Sequence, residues 1–422
     1  MFRKLLSESE GNTLSSNISS LGVLQLANYF LPFITFPYIA ITLGPEKFGL
    51  IAFANATVIY FSIFTDYGFN LTATQAISRS RGNIAKVNEV FSSVICVKFM
   101  LLLISSLLFL LLIFLVPKLS DNWHIFVISF GLVIGQMLLP LWLFHGFEKM
   151  RSIAIISVIN KVCFTLCIFI FVSDEDDYLL IPSFSAAGSI LVGLSALWIA
   201  RNKLGITFVM PNINQLRIQI IDGWFVFAST VSMSLYASSS VFVLGFFASD
   251  LVVGLYAAAD KLVQVAKGIY TPISQALFPL VSKKINENKV AGLELLQHAG
   301  LLICLGMLFI CCLLFFFGDI LLVTLLGQKF KDSGEILRLL AFVPVIIALS
   351  NLIGIHGLLN LGYKKEFTIC VTLCAFFGVA LTVILTKLYL SHGTALALII
   401  SEVLILALLG SFFVSKLRSR AI

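Results

Sequence analysis

Charge is what this chain has least of. Only 12% of its 422 residues are Asp, Glu, Lys or Arg, about half the share found in an ordinary soluble domain, and its mean hydropathy is +1.04. So few charges cannot cover a water-facing surface, which excludes a soluble globular fold. Long polar connections are also missing: none exceeds about 20 residues, too short for a nucleotide-binding or catalytic domain outside the membrane. There is no P-loop pattern. The five histidines, His124, His145, His298, His356 and His392, form no HExxH-like pair. With no metal or nucleophile constellation, the sequence gives an enzyme no positive support, and no cofactor is expected. All eight cysteines lie inside apolar runs, where neither a disulfide nor a completed metal-ligand set is expected, and they read as small packing residues.

What the sequence has in abundance is apolar runs long enough to cross about 30 Å of hydrocarbon. They fall at 20–44, 47–70, 90–117, 125–147, 151–172, 178–202, 218–248, 250–282, 295–327, 336–362, 366–387 and 393–414. These runs predict an all-α integral membrane protein with twelve transmembrane helices. Strands are excluded because the runs are continuously apolar, without the alternation of a membrane barrel. Two segments repeat each other, Phe48-Gly49-Leu50-Ile51-Ala52-Phe53-Ala54-Asn55 and Val253-Gly254-Leu255-Tyr256-Ala257-Ala258-Ala259-Asp260. Each opens an even-numbered span, the second and the eighth. Six spans separate them, so the halves keep one orientation, as in a parallel repeat. The predicted organisation is a six-helix lobe at 1–202, a cytoplasmic linker at 203–217 and a second six-helix lobe at 218–422.

Basic residues give the orientation. If the N-terminus is cytoplasmic, eighteen of the 28 Lys and Arg lie in cytoplasmic segments. Six lie opposite, Lys47, Lys118, Lys329, Lys331, Arg338 and Lys387, and four lie inside spans. This bias predicts both termini in the cytoplasm. It accounts for the net charge of +7 without a nucleic-acid partner. The first 19 residues are polar and lack a cleavable signal, so the N-terminus is expected to be retained.

The four intramembrane lysines, Lys98, Lys161, Lys261 and Lys267, each cost about 2.5 to 3.5 kcal/mol near the bilayer centre unless they meet water, a partner or a ligand. They point to a polar, electropositive cavity. In the eighth span Tyr256, Asp260, Gln264, Lys267, Thr271 and Ser274 form one polar stripe at helical spacing. Lys261 lies off its centre and is expected to snorkel or pair locally. Pro272 and Pro279 in the same span permit a bend. Lys161 is too deep in its span to reach the interface easily, whereas Lys98 is within snorkelling distance of one. Asp66, Asp260 and Glu402 read as counter-charges for the lysines or as carriers of a coupled cation.

The end of the fourth span reads Pro140-Leu141-Trp142-Leu143-Phe144-His145-Gly146-Phe147-Glu148. It resembles the P-x-W-L-F-Q-G-x-E signature of the polysaccharide-transport family, the Wzx-type O-antigen flippases of the multidrug/oligosaccharidyl-lipid/polysaccharide exporter superfamily. Phe36-Pro37-Tyr38, Leu43-Gly44-Pro45-Glu46-Lys47-Phe48-Gly49, Asp66-Tyr67-Gly68-Phe69 and the run from Tyr256 to Lys261 are similar to that family too. The departure is His145, where the family usually has Gln. The resemblance implies two six-helix lobes around a central cavity that opens alternately to each side of a bacterial inner membrane. It also implies an undecaprenyl-diphosphate-linked oligosaccharide as substrate, turned from the cytoplasmic to the periplasmic leaflet. On that reading Lys161, Lys267, Lys98, Gln264 and Tyr256 are the substrate contacts, and Asp260, Asp66 and Glu402 serve coupling to a proton or sodium ion. Membrane lipid surrounds the protein, and a polysaccharide polymerase is a candidate partner. The alternatives are a cation-coupled drug or small-molecule antiporter of the same superfamily, which clustered acids would favour, or a membrane enzyme of polysaccharide assembly.

Overall fold

In the computed structural model, which describes residues 8–418, every regular element is helical. Helix α1 (Glu8–Asp66) carries two spans and bends at Gly44, whose φ of 69° and ψ of 173° suit only glycine. The chain reverses at Tyr67 and Gly68 and enters α2 (Phe69–Ser80). Then follow α3 (Ile84–Leu115), the short α4 (Pro117–Asp121), α5 (Trp123–Leu138), α6 (Leu141–Gly146), α7 (Met150–Phe171) and α8 (Leu180–Leu204). The remainder comprises α9 (Ile213–Phe247), α10 (Asp250–Glu287), α11 (Lys289–Leu326), α12 (Ser333–Leu340) and α13 (Val343–Asn351). A π-helical turn, Leu352–Leu359, follows α13, and α14 (Lys364–Arg418) closes the chain with two spans divided at Leu390. Eight segments are recognisable as spans by length and hydropathy. The bends at Gly44 and Leu390 split two of these, and the long helices α9 and α10 bring the total to twelve. Residues 1–7 of the polar N-terminus that is expected to be retained lie outside the described residues.

By contacts the chain divides into two compact units. One comprises the chain up to Leu43 together with Ala54–Val231, the other Gly44–Phe53 with Ser232 onward. The first unit therefore runs past the 203–217 connection into the middle of α9, and the second takes ten residues from the beginning of the second span. Apolar surface gives helices no reason to associate in lipid, so close backbone packing through small residues has to do it. In the first unit α5 supplies a Gly131-x-x-x-Gly135 face. A Cβ on Gly131 would come within 2.6 Å of Ala186 Cβ on α8, and one on Gly193 of α8 within 2.6 Å of Leu138 Cβ on α5.

The second unit contains the corresponding crossing between the two repeated segments themselves. A Cβ on Gly49 would overlap the Asp250 carbonyl, and one on Gly254 would overlap the Pro45 carbonyl. Phe48 also packs edge-on against Phe330, at 6.1 Å between ring centroids. The repeat glycines are thus the residues at which the two repeats touch. Gly254→Ala is expected to destabilise the protein by about 1 to 3 kcal/mol through overpacking, read as a lower thermal unfolding midpoint. Gly306→Ala on α11, where nothing lies within 4 Å of the new Cβ, should leave the midpoint unchanged.

Candidate functional site

The intramembrane charges separate into compensated and uncompensated groups. Lys98 on α3 is 1% exposed. Its Nζ is 3.2 Å from Asp66 Oδ1 and donates to the Gln136 carbonyl, also at 3.2 Å. Asp66 accepts a further hydrogen bond of 2.8 Å from Asn70, one helical turn on. The reversal at Tyr67 and Gly68 ends the second span just after Asp66, leaving the carboxylate beside α3. Lys98 is thus enclosed and neutralised inside the first unit rather than presented to a ligand.

Lys161 on α7 has a different environment. It is half-buried and has neither an ion pair nor a hydrogen bond among the described residues. Its neighbour Asn160 fixes the rotation of α7. The amide of Asn160 sits where a Cβ on Gly188 of α8 would be, with Nδ2 3.0 Å from that position. Ser157 and Thr165, one turn before and one turn after Lys161, share its face.

The stripe on α10 runs from enclosed to open. Tyr256 is fully buried, within electrostatic reach of Ser240 and Asp260. The half-buried Asp260 accepts a 2.7 Å hydrogen bond from the exposed Gln264. Lys267 is half-buried and, like Lys161, has no side-chain partner among the described residues. Lys261 is exposed, off the line of the stripe. Glu402 on α14 is 5% exposed, within reach of Cys374 and remote in sequence from every lysine of the set. One polar residue that helical spacing could not single out is His356, fully buried on the π-helical turn and 2.9 Å from Ser274 of the stripe. A π-helical turn shifts helical phase, and a lone histidine in an apolar run gives no other signal.

The signature residues of the fourth span are structural. Trp142, Leu143 and Phe144 are buried in a cluster with Tyr67, Phe69, Ile77 and Phe91. Gly146 lies against Ile77 of α2, and Thr74 of α2 donates to the Trp142 carbonyl at 3.2 Å. Arg81, just after α2, bonds the Gly146 carbonyl and pairs with Glu148 at 2.7 Å. His145, where the chain departs from the family pattern, is exposed and points away from this cluster.

A twelve-span helical chain with titratable side chains held inside its spans has the build of a membrane transporter. The chain matches the family described as polysaccharide biosynthesis protein over residues 14–285. It is 32% identical over 95% of its length, and 96% of the relative's, to a protein of Escherichia coli (strain K12) named for O-antigen transport. A similarly named protein of Shigella dysenteriae is 29% identical over 93% of this chain and 98% of its own. The fold is shared with an inward-facing multidrug resistance MATE family transporter of the MOP superfamily, at a TM-score of 0.62 and 16% identity, covering 96% of this chain and 98% of that one. A Vibrio cholerae MATE transporter matches at a TM-score of 0.55 and 17% identity, with the same coverage. The chain belongs to the polysaccharide biosynthesis protein family, and its residues 140–148 resemble the Wzx-type signature. It is a multi-pass membrane transporter.

Proposed function

We propose that this transporter is a flippase that carries undecaprenyl-diphosphate-linked O-antigen oligosaccharide from the cytoplasmic to the periplasmic leaflet of a bacterial inner membrane by alternating access. The observation that carries the reading is the contrast among the lysines. Lys98 has Asp66, whereas Lys161 in one unit and Lys267 in the other are half-buried ammoniums without a counter-charge among the described residues. A diphosphate supplies the missing negative charge, and charge-assisted hydrogen bonds to phosphate oxygens are the strong ones. Lys161 and Lys267 each serve as a contact for the anionic head group during passage, and Gln264 offers its amide to the sugar. Asp66 is held by Lys98 and Asn70, and Asp260 accepts from Gln264. Both termini lie in the cytoplasm, on the side rich in Lys and Arg.

Deleting the gene is expected to leave lipid-linked repeat units in the inner leaflet and to remove surface polysaccharide, with both restored by a plasmid copy. Normal surface polysaccharide in the deletion strain would overturn the reading.

A further inference from the structure

His356 has no part in the head-group contacts, yet one of its two ring nitrogens is left unsatisfied in the interior of the second unit. It is 0% exposed. Nε2 lies 2.9 Å from Ser274 Oγ, and Nδ1 has no hydrogen-bond partner. An orphaned buried polar atom costs about 1 to 3 kcal/mol, so a histidine needed only for packing would be replaced to advantage by an apolar residue. Among the described residues His356 has no ion-pair partner. α10 presents Tyr270, Ser274 and the Phe278 ring, whose centroid is 6.0 Å from that of the imidazole, with Lys267 two turns before Ser274. α11 contributes Cys304 and α13 contributes Asn351, both within reach of Tyr270. α14 packs Phe367, Leu409 and Phe413 against the glycines flanking His356, while its carboxylates Glu366 and Glu402 act on Cys370 and Cys374.

The backbone on both sides of the Ser274–His356 bond is of the kind that changes shape. His356 occupies a π-helical turn, which holds one residue more than an α-turn and can give it up. Two residues before Ser274, Pro272 withholds a donor from the Gly268 carbonyl and leaves α10 able to bend. One hydrogen bond therefore joins the two soft points of neighbouring spans.

We propose that His356 is the proton-binding site of the transporter and that its protonation parts the π-helical turn from α10. In the tautomer whose Nε2–H donates to Ser274 Oγ, Nδ1 is a bare acceptor. When water reaches it, Nδ1 takes a proton and the ring becomes a cation with two donors, one of which has no acceptor in the closed packing. The imidazolium is stable only where that donor meets water, so uptake favours the opened arrangement, and release of the proton to water allows closure. This rests on the transporter reading and specifies its coupling ion as a proton.

The test uses the full-length protein in lipid nanodiscs with 15N-labelled histidine. His356 is assigned by the signal lost in H356Q or, if that variant does not fold, by elimination with variants of the other histidines. The expected result is a neutral imidazole at about pH 8 that becomes an imidazolium by about pH 5. Lower protection of the amides of residues 268–280 and 350–361, corrected for the intrinsic pH dependence of exchange, should accompany the change, and S274A should show that low protection already at about pH 8. An imidazole that stays neutral until the protein unfolds, or that titrates with exchange unchanged, overturns the proposal. None of these measurements involves substrate, so the proposal can fail while the flippase reading holds, or hold while it fails. In vesicles carrying lipid-linked oligosaccharide, an imposed pH gradient should change the wild-type rate about tenfold. Given measurable wild-type transport, a gradient that leaves that rate unchanged, or that drives S274A and H356Q as it drives wild type, equally overturns the proposal.

Discussion

Replacing Lys161 with alanine is expected to abolish translocation of lipid-linked oligosaccharide, a fall of at least about tenfold, while the amount of inserted protein stays the same or rises. The two halves of this expectation have one cause. An ammonium without a partner inside a span costs about 2.5 to 3.5 kcal/mol, so removing it relieves the resting protein. The same removal costs the passing head group a charge-assisted hydrogen bond of about 1.5 to 3 kcal/mol. A residue kept against stability in this way is the pattern expected of a functional site. Lys161→Arg restores the charge with a larger, planar head and should keep part of the rate. The measurement is transfer of a fluorescent lipid-linked oligosaccharide across reconstituted vesicles, beside thermal unfolding of the same preparations. Transfer by Lys161→Ala at the wild-type rate would remove Lys161 from the transport path.

Asp66→Ala should act in the opposite sense, on the fold first. It leaves the Lys98 ammonium enclosed with only the Gln136 carbonyl, and breaking a buried pair from one side costs about 3 to 5 kcal/mol. Asp66 is itself 27% exposed, which favours the lower end of that range. The expected result is a large drop in the unfolding midpoint and in accumulated protein. Adding Lys98→Met to Asp66→Ala should recover most of both, because an apolar side chain of similar length fills the site without needing a partner. If Asp66→Ala alone unfolds like wild type, Lys98 is not held by this pair.

The spans were legible because hydropathy and length are local properties, and the bends at Gly44 and Leu390 do not alter where the apolar runs lie. The boundary between the units was less so. A composition break marks 203–217, but packing continues along α9 to Val231, and only contacts reveal that. Helical phase placed Asp260, Gln264 and Lys267 on one face of α10, yet phase alone could not tell that Tyr256 at the head of the stripe is enclosed while Gln264 is open. The Asp66–Lys98 pair depends on where the chain reverses at Tyr67 and Gly68, and the Ser274–His356 bond on a π-helical turn. Neither is encoded in a repeat period.

The family motifs were legible as motifs, but the structure gives them a different use from the one a signature invites. Tyr38 donates its hydroxyl to the Val172 carbonyl at the end of α7, at 2.7 Å. Gly44 bends α1, Gly49 meets α10, and Trp142 to Glu148 dock α6 on α2. What makes this chain recognisable is therefore its scaffold. The side chains proposed to meet substrate, Lys161 and Lys267, lie outside every one of these stretches.

The placement of Gly44–Phe53 in the second unit has a consequence for biosynthesis. The ribosome delivers Gly49 about 200 residues before Gly254, its packing partner, which at about 5 to 20 residues per second is a delay of roughly 10 to 40 s. During that interval the start of the second span has a vacant glycine face in the bilayer, because the rest of the unit to which Gly44–Phe53 belongs has yet to be made. Completion of the early half waits on the late half, so a nascent chain arrested before α10 leaves a span for membrane quality control to bind.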